Sequence, residues 1–152
     1  MGRIISVANQ KGGVGKTTTS VNLSASLAVA EKKTLLIDID PQGNATSGLG
    51  IPKEKIPGKS IYHALIEQTG AGDLILDTEL DFLKIIPSDI DLIGAEIELV
   101  PYADREVRLK NALRDIKDAF DYLIIDCPPS LGLITVNSLT ASDAVLIPLQ
   151  CE

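Results

Sequence analysis

Gln10-Lys11-Gly12-Gly13-Val14-Gly15-Lys16-Thr17 is the stretch on which the fold and the chemistry of this 152-residue chain turn. It follows the apolar run Ile4-Ile5-Ser6-Val7-Ala8 and leads into a helix-like stretch from Thr18 to Ala30. Strand, glycine-rich turn and helix is the context that a phosphate-binding loop requires. Small residues let successive backbone N–H groups point at an anion, and the helix N-terminus adds its partial positive charge. The candidate nucleotide-binding residues are therefore Lys11, Gly12, Gly13, Val14, Gly15, Lys16, Thr17 and Thr18. Lys16 can reach the β- and γ-phosphates of a nucleoside triphosphate, and the Thr17 hydroxyl can bind Mg2+. The strict pattern G-x-x-x-x-G-K-[ST] fails at one place, because Gln10 stands where its first glycine belongs. A second lysine, Lys11, lies inside the loop. The plainer alternative, a flexible glycine-rich turn containing lysines, leaves the flanking strand and helix unexplained.

Two further segments supply carboxylates. Leu35-Leu36-Ile37-Asp38-Ile39-Asp40-Pro41-Gln42-Gly43-Asn44 reads as a buried strand ending in two acids. At the carboxyl end of a parallel strand beside the phosphate loop, such acids face the ligand crevice. Alternation puts Asp38 and Asp40 on the same side of an extended chain, so one can help hold Mg2+ while the other orients water. An Asp-Pro turn closing the strand accounts for Asp40-Pro41 but not for the pair. The second segment is Tyr122-Leu123-Ile124-Ile125-Asp126-Cys127-Pro128-Pro129-Ser130. Apolar positions ending in Asp126 describe a Walker B strand, whose carboxylate reaches Mg2+, usually through a water. Pro128-Pro129 stiffen the turn that follows. The expected metal set is Thr17, Asp126 and one of the Asp38–Asp40 pair, Asp38 filling that place if Asp40 orients the water.

Strand-like and helix-like segments alternate along the whole chain, which predicts a parallel α/β fold. Strands are expected at residues 3–8, 34–38, 82–86, 122–126 and 144–149, and helices at 17–30, 60–68, 90–100, 104–120 and 133–142. Leu35-Leu36-Ile37, Leu123-Ile124-Ile125 and Val145-Leu146-Ile147 are continuously apolar, as central parallel strands covered on both faces should be. Residues 41–58 read as a mobile loop within the domain. With 45% apolar residues the chain can bury a substantial core, and no apolar run approaches the length of a membrane span. Cys127 and Cys151 with the single His63 make neither a zinc set nor a disulfide framework, which suits a reducing, cytoplasmic compartment. Cys127 is expected to be a small buried residue at a strand end, and His63 an ordinary helix surface residue. A net charge of −7 and 3% aromatic residues argue against a nucleic-acid surface in this stretch.

The pattern K-G-G-x-G-K-[ST] resembles the deviant Walker A loop of the ParA/MinD group of dimeric ATPases. Asp38-Ile39-Asp40-Pro41-Gln42-Gly43-Asn44 and Asp126-Cys127-Pro128-Pro129-Ser130 are similar to the first and second switch regions of its ParA/Soj partitioning branch, in the same order. The resemblance covers the whole chain. It implies a P-loop NTPase fold, a mostly parallel twisted sheet with helices on both faces, with ATP and Mg2+ as cofactors. It also implies that catalysis rests on Lys11, Lys16 and Asp40, with Lys11 touching phosphate across an ATP-bound homodimer and Asp40 tied to hydrolysis. The implied partners are a ParB-type protein and nonspecific DNA, with the ATP-bound form on the nucleoid. Family members run longer, so residues 1–152 are expected to be the N-terminal part of the family domain, and the adenine-contacting and DNA-binding residues to lie beyond. A MinD-like membrane-cycling ATPase shares Lys11, Lys16 and Asp40 but needs a C-terminal amphipathic helix. A dethiobiotin synthetase-like ligase, an iron–sulfur reductase and a non-enzymatic nucleotide sensor are further alternatives. No small-molecule carboxylate site marks the first, the cysteines do not suit the second, and the paired switch carboxylates disfavour the third.

Overall fold

β2 (Thr34–Asp38) and β5 (Tyr122–Asp126) lie side by side and parallel at the centre of the molecule, in register from Thr34 opposite Tyr122 to Asp38 opposite Asp126. Their apolar residues alternate between two cores. Leu35, Ile37, Leu123 and Ile125 pack into one and Leu36 and Ile124 into the other. A strand covered on both faces has no polar side, which is why these runs are unbroken. Each fully buried Leu or Ile contributes about 1.5–3 kcal/mol relative to exposure. In the computed structural model, which describes residues 1–151, these strands belong to a six-stranded sheet of order β3 (Leu76–Asp77), β4 (Leu83–Ile86), β2, β5, β1 (Arg3–Val7), β6 (Ala144–Leu146).

β1 (Arg3–Val7) pairs with β5 on one side and β6 (Ala144–Leu146) on the other, and β4 (Leu83–Ile86) flanks β2, all parallel. Only the two-residue β3 (Leu76–Asp77) runs antiparallel. Helix α1 (Lys16–Val29) covers one face through Val21, Leu23, Leu27 and Ala28. The other face carries α3 (Ile61–Leu65), α4 (Leu92–Glu98), α5 (Arg108–Leu113) and α6 (Leu133–Ala141). The expected α/β sheet with helices on both faces is what the chain forms.

Three expectations need correction. The strand expected at 144–149 ends at Leu146 and lies at the sheet edge, with Val145 45% and Ile147 59% exposed. Its apolar run was therefore a poor sign of a central position. The single helix expected at 104–120 is instead α5 followed by a short 3-10 turn, Lys117–Ala119. Its start is displaced because Asn137 of α6 accepts from the Leu109 N–H and donates to the Arg105 carbonyl, replacing helical bonds by tertiary ones. Residues 41–58 contain a helix, α2 (Asn44–Gly48), and a 3-10 turn, Lys53–Lys55. β3 went unforeseen because two residues carry no readable period.

Candidate active site

β1, β5 and β2 are consecutive in the sheet, so the segments leaving their carboxyl ends converge. The loop after β1 is the glycine-rich stretch. Gly13 and Gly15 adopt φ of +71° and +85°, the left-handed region that L side chains avoid, and a Cβ at either would meet nothing within 4 Å. Strain of the backbone and not crowding is what demands glycine there. Among the described residues, no backbone N–H from Gly12 to Thr18 donates to a protein acceptor. A helix N-terminus whose donors are unmet and surrounded by open space is an anion cradle. Lys16 is buried, and its ammonium lies 3.0 Å from the Lys11 carbonyl, over the loop. Lys11 is exposed, with its own N–H bonded to Asn9 Oδ1 at 2.9 Å. Thr18 is exposed as well, and Val14 is buried.

Asp126, at the end of β5, meets this loop directly. Its Oδ2 accepts from the Thr17 hydroxyl at 2.9 Å and its Oδ1 from Ser20 at 2.7 Å. Burial pushes its pKa up, opposed by the Ser20 and Thr17 hydrogen bonds. The Asp40 carboxylate raises it further, while Lys16 lowers it, so these three charged groups share one electrostatic site. The structure thus brings together Lys16, Thr17, Asp40 and Asp126.

Asp38 is placed differently. Its side chain is fully buried, its Oδ1 accepts from the Asp40 N–H at 3.1 Å, and its Oδ2 accepts from the Thr46 N–H at 2.9 Å and hydroxyl at 2.7 Å. Burial is the main cause lifting its pKa to about 7. Both oxygens are committed to the turn that carries Asp40 into α2. Asp40 itself accepts from the Gln42 N–H at 3.0 Å, and its carbonyl accepts from the Gly43 N–H at 2.9 Å and Ser88 Oγ at 2.5 Å. Gly43 turns the chain at φ +64°. The Ser88 N–H closes the network on Thr46 Oγ1 at 3.1 Å.

Ser20, Thr46 and Ser88 were not anticipated. Ser20 lies one helical turn beyond Thr17, so the hydroxyl run Thr17-Thr18-Thr19-Ser20 held a usable signal at i, i+3. Thr46 and Ser88 had none, since β4 brings Ser88 from another part of the chain. From the end of the chain, Gln150 Nε2 donates to the Gly13 carbonyl at 3.0 Å, and Asn9 Nδ2 donates to the Pro148 carbonyl at 3.0 Å. Cys127 is 1% exposed at the end of β5, as expected, beside Ser138 Oγ at 2.9 Å. His63 sits in α3 and pairs with Glu67 at 2.7 Å, half-buried and not on the open surface expected of it.

The donor set fits a nucleoside triphosphate with Mg2+. The unmet N–H groups and Lys16 suit phosphate oxygens, and Thr17 beside Asp126 suits Mg2+, which keeps several waters and takes only one or two protein ligands. Among the described residues no three His, Cys, Asp or Glu side chains converge as a metal cage, which such a site does not need.

Comparison with known proteins agrees. A family model described as AAA domain matches residues 2–152. The sporulation initiation inhibitor protein Soj of Bacillus subtilis is 60% identical over all of this chain, which spans 60% of its length. The chromosome partitioning protein ParA of Myxococcus xanthus is 59% identical, again over the whole chain, which spans 53% of it. Among solved structures, cobyrinic acid a,c-diamide synthase from Mycobacterium smegmatis with bound ATP analog and magnesium superposes with a TM-score of 0.94 at 44% identity. It matches all of this chain and 62% of its own. The chain belongs to the AAA-domain family and is a homologue of the Soj/ParA chromosome-partitioning ATPases.

Proposed function

We propose that this chain carries the nucleotide site of a Mg-dependent ATPase of the ParA/Soj type, acting in chromosome or plasmid partition through ATP-dependent dimerisation. The observation that carries the reading is the unmet N–H array of Gly12–Thr18, with Lys16 above it and Asp126 holding Thr17 beside it. Bound ATP would supply the phosphoryl group, and Mg2+ would offer positive charge beside its phosphates. The loop amides and Lys16 bind and orient the phosphates, and Lys16 leaves the Lys11 carbonyl to do so. Thr17 and Asp126 hold the metal and its waters. Asp38 acts by shaping the Asp40–Thr46 turn, since its oxygens are already bonded within it. Asp40 then presents a carboxylate that orients the attacking water. Lys11, exposed on the loop, reaches phosphate on a second copy, which makes hydrolysis depend on assembly.

In the cell the ATP-bound dimer binds DNA nonspecifically on the nucleoid, and a ParB-type protein stimulates turnover. No helix among the described residues is long and apolar enough to cross a membrane. The test uses the full-length protein, measuring ATP hydrolysis with and without DNA and a ParB-type peptide. Asp40→Ala is expected to retain ATP and accumulate as the ATP-bound dimer with turnover lost. Parental turnover in that variant would move the water-orienting role to another group. A second reading comes from the amide-forming enzyme named by the superposed structure. ATP consumption that requires a small-molecule carboxylate and ammonia or glutamine, and ignores DNA, would favour it.

A further inference from the structure

Helix α6 starts where the segment that follows Asp126 ends, and its start is unusual. Its N-cap is Gly132, which has no side chain to accept from the first N–H groups, and its first turn contains no acid. Those N–H groups are met from another element. Glu96 of α4 accepts from the Leu133 N–H at 2.7 Å through Oε2 and from the Ile134 N–H at 3.2 Å through Oε1. A carboxylate bridging two helix-terminal donors makes charge-assisted bonds and meets the positive end of the helix dipole. Gly132 is needed for the approach, since a Cβ there would lie 2.4 Å from both Glu96 oxygens although its φ of −72° suits any residue.

The segment between has few other ties. Cys127 N–H donates to the Val7 carbonyl, Pro128 and Pro129 have no N–H, and Ser130 to Gly132 donate to nothing among the described residues. The loop is therefore fixed at one end by β1 and at the other by Glu96. Asp126 stands at its head, and Ser130 and Leu131 at its tip are exposed. Glu96 itself is set by its helix, whose Leu92 and Ala95 are fully buried, as is Leu99 just beyond its end.

We infer that Glu96 is a positioning residue for turnover: by clamping the start of α6 it fixes the far end of the loop that begins at Asp126. The inference rests on the ATPase reading above. Among the described residues Glu96 bonds to the start of α6 and not to the phosphate loop or Asp126, so its loss should affect catalysis more than ground-state binding of nucleotide. The test measures Mg-ADP affinity and kcat for the full-length parent, Glu96→Ala, Glu96→Gln, Gly132→Ala and the Glu96→Ala/Gly132→Ala double variant. Glu96→Ala is expected to keep ADP affinity within about twofold while kcat falls about tenfold, with Glu96→Gln intermediate because one acceptor remains. Gly132→Ala should lower kcat in the parent but change little further in the Glu96→Ala background, because the three nearest atoms its Cβ would meet all belong to the Glu96 carboxylate. Should Glu96→Ala fail to fold, Glu96→Gln and Gly132→Ala carry the same expectation.

Parental kcat in the Glu96 variants overturns the inference, as does a matching loss of ADP affinity or a Gly132→Ala effect that persists without Glu96. A parent that binds but does not hydrolyse ATP overturns the ATPase reading as well. An active parent with silent variants overturns this inference alone.

Discussion

Thr46 shows what a single residue does at this site. Its hydroxyl donates to Asp38 Oδ2 and accepts from the Ser88 N–H, so one oxygen links β2, α2 and the end of β4. Thr46→Val keeps the shape and removes both bonds, leaving a buried carboxylate and a buried amide short of a partner. Such losses cost about 1–3 kcal/mol each, and less where neighbouring donors remain. The expected outcome is a clear fall in the chemical-denaturation midpoint with a steeper fall in ATP turnover, because the turn being loosened carries Asp40. Unchanged stability would show that the network is not what holds the turn. Arg108 makes a comparable case outside the site. It is 5% exposed, lies 3.9 Å below the centroid of Tyr102, and donates to the Leu65 carbonyl at 3.1 Å. That role cannot be read from the chain, because a guanidinium buried by stacking leaves no mark in spacing.

At the scale of elements, the phosphate loop and the two acid-ended strands could be read in advance, and for one reason. Each couples a run with a definite period to a residue whose chemistry requires a strand end. Lys16, Thr17, Asp40 and Asp126 converge because β2, β5 and β1 are neighbours. What escaped the reading depends on distant contacts. α2 begins at a left-handed Gly43 and has its Thr46 N–H met by Asp38, and α5 begins where Asn137 intervenes. Nothing local marks either boundary. The loop gives a prediction of its own. Gly15→Ala introduces a Cβ into open space but forces a left-handed φ on a residue that resists it, at about 1–2 kcal/mol. Relieving that strain turns the adjacent amides away from the cradle. Thermal stability should therefore drop modestly while ATP affinity drops at least about tenfold, a ratio read by melting and titration on one preparation. Equal affinity would mean that the amide array is not the phosphate site.

For the whole molecule, the question is whether hydrolysis belongs to one chain or two. Lys16 is buried over its own loop, whereas Lys11 is exposed beside it. Lys11→Ala should therefore leave nucleotide binding by the monomer nearly unchanged and weaken ATP-dependent dimerisation and turnover. Mixing Lys11→Ala with Lys16→Ala subunits of the full-length protein assigns the role. Activity that depends on an intact Lys11 opposite the chain holding ATP places the lysine in trans, and normal ATP-dependent dimers of Lys11→Ala in sedimentation would contradict it.

All of these roles presuppose a triphosphate on the Gly12–Thr18 amides, and calorimetric titration of Mg-ATP into the parent and Lys16→Ala proteins tests that most directly. Removing the cation that faces the phosphates should cost about 2–5 kcal/mol, a loss of roughly thirtyfold or more in affinity, with an unchanged melting temperature. Equal affinity of the two proteins for Mg-ATP would contradict the account at its centre.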